Sequence, residues 1–141
     1  VHGFGTKRRA PQIGMQDEKI WSIRERVFEY SLQAITLYRF ILKLHDDVAR
    51  IIGKQYLRSA TSIGANIEEA HAAESNADFI HKFSIAQKEA RESLYWLRLL
   101  KRSFEKDVDQ LPGMIRETNE LIAIITTIIV NTKQNSNKTN N

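Results

Sequence analysis

The chain has 141 residues, a net charge of +4 at pH 7 and no cysteine, and 42% of its residues are hydrophobic and 27% charged. This length suits one domain with a substantial core, and the lack of cysteine excludes disulfides and thiolate metal sites and favours a cytoplasmic protein. The longest mainly apolar run, 121–130, is too short for a membrane span, which needs about 20 residues.

The positive charge lies at the two ends of the chain. Residues 1–16 contain three basic residues and no acid, and 133–141 contain two more, whereas 17–132 has 16 basic and 17 acidic residues. The first segment lacks helical periodicity and the apolar stretch of a secretory signal, and the last is a polar low-complexity tail. The sequence predicts that both are disordered flanks of a domain over 17–132. Met15 is a candidate natural start, in which case residues 1–14 are not native.

The first predicted element is a helix from Asp17 to about His45. Apolar residues recur there in two adjacent rows at steps of three and four, and no Gly or Pro interrupts them. The apolar face is therefore wide. The first row contains Ile20, Ile23, Val27, Ser31, Ala34, Tyr38, Ile41 and His45, and the second contains Phe28, Leu32, Ile35 and Leu42.

The second predicted helix runs from about Asp47 to Ala73. Its centre, LRSATSIGANIEEAH over 57–71, is rich in small and polar residues that would also suit a loop. However, its core-facing residues recur at steps of three and four and it contains no proline, so the sequence predicts a helix. Small residues let two helix backbones approach closely, and such a contact would explain Gly64, which costs about 1 kcal/mol relative to Ala in a helix interior. The helical row contains Ile52, Tyr56, Ser59, Ile63, Asn66 and Ala70.

The third predicted helix extends from Ser75 to Phe104. Its apolar residues follow a heptad seam, which is typical of helices packed at a shallow angle. Ser75 is a suitable N-cap, with Asp78 as the acid in the first turn. The seam contains Phe79, Phe83, Ala86, Ala90, Ser93, Leu97, Leu100 and Phe104.

A fourth helix is predicted over 111–132, beginning at a Leu-Pro-Gly break. The β-branched run IAIITTIIV favours a strand by propensity, but the helical spacing of two apolar rows overrides it. Four long helices with short connections predict an all-α, antiparallel up-down-up-down bundle. The second apolar rows of the first and fourth helices predict a further surface buried between subunits. In the fourth helix, one row contains Ile115, Thr118, Ile122, Ile125, Ile129 and Thr132, and the other contains Leu121, Ile124 and Ile128.

Polar residues of the second and third helices predict how these helices pair. An antiparallel hairpin places Arg58 opposite Glu89 and Glu92, and Glu69 opposite Lys82, so we expect one ion pair at each level. Such partly buried pairs help to fix helix register more than they add stability. The predicted structural polar network, in which Ser62 and Asn66 also face the third helix, comprises Arg58, Ser62, Asn66, Glu69, Lys82, Glu89 and Glu92.

Two segments, RSATSIGANIEEA and AESNADFIHKFSIAQKEARESLYWLRLL, resemble the bacterial four-helix-bundle family of 23S rRNA intervening-sequence proteins. The resemblance covers about 20–132 and is most specific over 57–100. The same bundle is shared with the accessory variability protein of diversity-generating retroelements. The resemblance implies a ring-like homopentamer and no known enzymatic reaction, and it suggests nucleic-acid binding. The near-neutral body of this chain departs from the basic retroelement relative.

Basic residues form two candidate nucleic-acid-binding rows. Cations beside exposed aromatics such as Tyr95 and Trp96 can bind phosphates and stack bases. The alternative is an ordinary charged face with its aromatics buried at an interface, and the sequence favours this alternative because Glu89 and Glu92 cancel local charge. The candidates are Arg50, Lys54 and Arg58 on the second helix and Arg91, Arg98, Lys101 and Arg102 on the third.

Short motifs in the sequence partly match a metal site and a phosphate-binding loop. Glu68-x-x-His71 and Asp78-x-x-His81 resemble halves of a di-iron site. However, Phe79 occupies the seam and turns the second motif aside, so solvated residues beside a turn are expected. The SIGAN segment lacks the lysine and the preceding strand of a phosphate-binding loop. We therefore expect no metal, cofactor, small-molecule substrate or enzymatic activity.

The sequence therefore predicts a cytoplasmic, non-enzymatic homo-oligomer that acts as an assembly or adaptor, with RNA or a nucleoprotein as its partner and no membrane contact. One alternative is a protein-binding scaffold without nucleic-acid affinity. A second is a metal-dependent enzyme.

Overall fold

The computed structural model describes residues 15–139, which form four helices and no strand. They are α1 (Met15–Lys43), α2 (Asp47–His71), α3 (Asn76–Ser103) and α4 (Gln110–Thr139). Each helix packs against the next along the chain, and α1 also packs against α4, so that α1 lies diagonally across from α3. This is the predicted antiparallel up-down-up-down bundle. Of the predicted disordered flank 1–16, residues 1–14 lie outside the described residues, whereas Met15 and Gln16 already belong to α1.

Side-chain caps and one special backbone conformation define the helix ends. The Asp46 carboxylate accepts hydrogen bonds from the backbone N–H groups of Val48 and Ala49, at 3.0 and 3.1 Å, and begins α2. The predicted Ser75 cap of α3 is confirmed, because its hydroxyl accepts from the Asp78 N–H at 3.1 Å. His45 has a φ of +53°, in the left-handed region that stops a helix, so α1 ends just before the predicted boundary.

The core face of α1 differs from the predicted row. Tyr30 and Leu37 are fully buried, whereas Ser31 and Tyr38 are only half-buried and His45 is exposed. The reason is that α1 packs against both α2 and α4, which turns the face one position toward α4. The buried α1 row contains Ile23, Val27, Tyr30, Ala34, Leu37 and Ile41.

The fourth helix also departs from the prediction. It continues through 133–139, where the sequence predicted a disordered tail, and the Asn76 amide donates to the Ser136 hydroxyl at 2.8 Å there. Leu121 and Ile128, from its second apolar row, are fully buried within the bundle. Most of the second row therefore serves the core of one subunit and does not form the predicted contact surface between subunits.

Polar contacts join α1 to α4, the most loosely packed pair of neighbouring helices. The Arg26 guanidinium donates two hydrogen bonds to Glu117, at 2.8 and 2.7 Å, and lies 3.3 Å from Glu120. The hydrogen bond to Glu117 is the main cause of a raised Arg26 pKa. In the core below, the Tyr30 and Thr118 hydroxyls are 2.5 Å apart. These contacts close the bundle.

Of the two glycines within α2, Gly53, and not the predicted Gly64, makes the tight contact with α1. A Cβ at Gly53 would lie 2.9 Å from Ile41 Cδ1 and 3.3 Å from Tyr38 Cδ1. A Cβ at Gly64 would make ordinary contacts with α1, the nearest being Ser31 Oγ at 3.4 Å. The space against α1 is therefore tighter at Gly53, near the α1–α2 turn, than at Gly64.

Candidate nucleic-acid interface

The two predicted ion pairs between α2 and α3 are both present. Arg58 contacts Glu92 directly, and its Nη1 lies 3.6 Å from Glu89 Oε1. Lys82 Nζ lies 2.8 Å from Glu69 Oε1. The helices thus pair in the register expected from an antiparallel hairpin.

Ser62 and Asn66 do not take part in these contacts, contrary to the predicted network. Ser62 donates to the Arg58 carbonyl at 2.8 Å, and Asn66 donates to the Ser62 carbonyl at 2.9 Å, so both satisfy their own helix. The hydroxyls that bridge α2 and α3 belong to Ser59 and Ser93, which are fully buried and 2.9 Å apart. The sequence did contain a signal for this bond, because Ser59 occupies a core-facing position of the α2 row and Ser93 one of the α3 seam.

A chain of contacts leads from Arg58 to an exposed aromatic ring. Glu92, held by Arg58, also accepts a hydrogen bond from the Trp96 indole Nε1 at 2.9 Å. The Trp96 hydrogen bond is the largest cause of a lowered pKa of the Glu92 carboxyl; burial opposes it, and the hydrogen bond and charge of Arg58 lower the pKa further. Trp96 is half-buried and packs edge-to-face with Tyr95, with ring centroids 5.0 Å apart. The Tyr95 residue remains 53% exposed.

One exposed line on α3, which we term the α3 row, consists of four cations and this tyrosine. Its members recur at steps of three and four, so they lie on one helix face. All five are exposed, and the row contains no acid. Within residues 15–139, no ion pair involves any of its four cations. At 1.5 Å per residue the row is roughly 21 Å long. The α3 row comprises Lys88, Arg91, Tyr95, Arg98 and Arg102.

The other predicted candidates differ in their surroundings. Arg50 lies 3.8 Å from Asp47, and Arg58 is held by its glutamates, so both cations are partly neutralised. Lys54 on α2 and Lys101 in the last turn of α3 are exposed. Lys88 was not among the residues predicted from the sequence. It lies three residues before Arg91, so it fits the spacing of the predicted α3 candidates.

The two motifs that resemble halves of a di-iron site are engaged in other contacts or face solvent. Glu68 forms two hydrogen bonds with Arg24, both at 3.0 Å, and these bonds are the main cause of its lowered pKa. His71 and His81 are exposed. Across residues 15–139, no three His, Asp or Glu side chains come together in a way that would hold a metal ion. No helix in this range has the length and apolar character needed to cross a bilayer.

The fold and the α3 row define a four-helix-bundle protein with an unpaired cationic helix face. The chain belongs to the family of 23S rRNA-intervening sequence proteins, whose family model matches residues 26–127. A crystal structure of a protein with unknown function from the S23 ribosomal protein family of Bacteroides thetaiotaomicron is similar, with a TM-score of 0.72 and 38% identity, covering 79% of this chain and 97% of that chain. No curated protein matches the sequence.

Proposed function

We propose that this protein is a cytoplasmic, non-enzymatic, homo-oligomeric adaptor that binds RNA through the α3 row. The observation that carries the proposal is the acid-free line of exposed cations on α3 without an ion-pair partner in the described range. A cation already held by a carboxylate must exchange that contact for a phosphate. The cations of the row carry no such cost and can displace counterions from a phosphate backbone.

The acids on α3 support the proposal by their placement. Glu89 and Glu92 both turn toward Arg58 of α2 and are engaged there. They therefore neutralise the α2 cation and leave Arg91 and Arg98 with positive charge facing solvent. Members of the row follow each other about every 5 Å along the helix, given the rise of 1.5 Å per residue, so one strand can contact several of them.

An apolar surface on α1 supports the homo-oligomer. Phe28 is 64% exposed and Leu32, one turn further, is 45% exposed. Large apolar side chains in one line mark a contact surface. A second copy would cover them, and the family resemblance points to five copies in a ring. A ring repeats the α3 row in every subunit, which raises the affinity for a long RNA by multivalency.

A protein-binding scaffold is the alternative function. It is favoured by a second exposed apolar group at the α1–α2 turn, where Val48 and Ile51 are 61% and 57% exposed and Leu44 is close in sequence. These apolar side chains would suit contact with another protein, without any nucleic acid in the complex.

Binding of ribosomal RNA fragments at increasing salt separates the two functions. The adaptor proposal expects binding at low salt that weakens steeply as salt is added, since released counterions supply much of the affinity. Absence of binding at low salt would overturn it and favour the scaffold.

A further inference from the structure

We infer that the α3 row takes unpaired nucleotides of RNA, with the Tyr95 ring as the stacking platform for a base. The inference rests on the proposed function, because it names the kind of RNA that the same row accepts. It is carried by the position of one exposed aromatic side chain within a line of cations.

The tyrosine stands in the centre of the row. Arg91 precedes it by one turn and Arg98 follows it by one turn, so its ring lies between two cations that have no ion pair in the described range. An aromatic ring that is 53% exposed leaves apolar surface in water. A base stacked on the ring would cover that surface while the flanking phosphates meet the arginines. Stacking of this kind contributes about 1–3 kcal/mol per base.

Neighbouring contacts hold the ring in place before a ligand arrives. Trp96 packs against it with ring centroids 5.0 Å apart and an interplanar angle of 69°. The indole of Trp96 is in turn fixed by Glu92, and Glu92 by Arg58. A side chain restrained in this way loses less conformational freedom on binding than a free one.

Double-stranded RNA has no unstacked base that could cover the Tyr95 ring. Its bases are stacked on one another, and its deep, narrow major groove does not admit side chains that read it. The four cations could still meet the phosphates of a duplex, but the Tyr95 ring would find no free base face. Single strands present both charge and base faces, and combining cations with aromatics is the usual way to bind them.

The experiment compares a single-stranded RNA of mixed sequence, about twelve nucleotides long, with the blunt duplex of the same length. Binding to the 141-residue protein in its native assembly is measured by fluorescence anisotropy at fixed low salt. We expect tighter binding of the single strand. We also expect Tyr95→Leu to weaken single-strand binding about 5- to 150-fold, which corresponds to the stacking contribution. Duplex binding should be unchanged, and Tyr95→Phe should keep the affinity for the single strand.

Each other outcome has a defined meaning. Equal binding of the duplex, or a Tyr95→Leu variant that binds the single strand like the unmodified protein, overturns the inference and leaves RNA binding by the row intact. A Tyr95→Leu variant that changes the native mass also overturns it, because the ring would then lie between copies. Failure to bind either RNA overturns the proposed function itself.

Discussion

The Trp96 indole Nε1 donates a hydrogen bond to Glu92 Oε2 at 2.9 Å, one helical turn earlier on α3. The same carboxylate oxygen contacts Arg58 of α2. Glu92 therefore links two roles: it joins α2 to α3, and it holds the indole against which Tyr95 packs. The ion pair predicted as a device for helix register thus also supports the candidate binding surface.

The Glu92 contacts predict a dependence of stability on pH. The carboxyl pKa is lowered from its ordinary 4.5 in the folded protein, first by Trp96 and then by Arg58. The stabilisation is therefore complete above the ordinary value and is lost as the pH falls through the lowered pKa. Because Glu92 is 37% exposed, we expect less than about 1 kcal/mol from it.

Denaturant unfolding at pH 7 and pH 3 checks this. The Glu92→Gln variant should lose less unfolding free energy on acidification than the unmodified protein. Glu69→Gln provides the control, because it breaks only the exposed pair with Lys82 and should alter stability little. Identical acid losses in the unmodified and Glu92→Gln proteins would show that the contacts contribute nothing.

A second prediction concerns the buried hydroxyl pair of Tyr30 and Thr118. The Thr118 hydroxyl donates to the Met114 carbonyl at 2.7 Å, so the Tyr30 hydroxyl is the donor in their 2.5 Å contact. Burial raises the pKa of Tyr30 to about 12. Thr118→Val keeps the volume and removes the acceptor of the Tyr30 hydroxyl, which should lower the unfolding free energy by about 1–3 kcal/mol.

Thermal or denaturant unfolding measures the loss at Thr118. Thr118→Ser retains the hydroxyl and should preserve most of the hydrogen-bond contribution, although it deletes one methyl group. If the valine variant is as stable as the unmodified protein, the contact does not help to join α1 and α4.

The two buried or half-buried glycines of α2 should respond differently to alanine. Gly64→Ala should raise the unfolding free energy by up to about 1 kcal/mol, since alanine is the better helix former and its Cβ meets only ordinary contacts. Gly53→Ala should be the less stable variant, because its Cβ would lie 2.9 Å from the buried Ile41 side chain. Parallel melts of both variants test this, and a larger gain at Gly53 would contradict the packing described.

The exposed apolar line of α1 predicts the oligomer contact. Phe28→Ser with Leu32→Ser should lower the native mass from an oligomer to the 16.3 kDa chain, as measured by light scattering. Val48→Ser with Ile51→Ser removes exposed apolar surface from α2 and should leave the mass unchanged. The reverse pattern would place the subunit contact at the α1–α2 turn.

The sequence was most informative where a short turn fixes helix register. Arg58 with Glu92, and Glu69 with Lys82, follow from a hairpin whose two helices are joined by a few residues. The α1–α4 contacts could not be found in this way. Arg26 and Glu117 are 91 residues apart, and their register depends on how the whole bundle closes.

The α3 row shows a different reason for a missed feature. From the sequence, the negative charges of Glu89 and Glu92 were expected to cancel the positive charge of this helix face. The structure directs both carboxylates to Arg58 at the α2 side, so the neutralised cation is on α2. Composition gives the amount of charge on a helix, but side-chain pairing decides which cations remain available.

The salt dependence of single-stranded RNA binding by row variants tests the central claim most directly. Arg91→Ala with Arg98→Ala should make the slope of log affinity against log salt shallower by roughly 1.4, at about 0.7 for each phosphate that the variant no longer neutralises. Lys133→Ala with Lys138→Ala removes the same charge from α4, beside the start of α3, where Asn76 contacts Ser136. This control should keep the original slope. Equal slopes for all three proteins, or the same decrease in both variants, would contradict RNA binding by the α3 row.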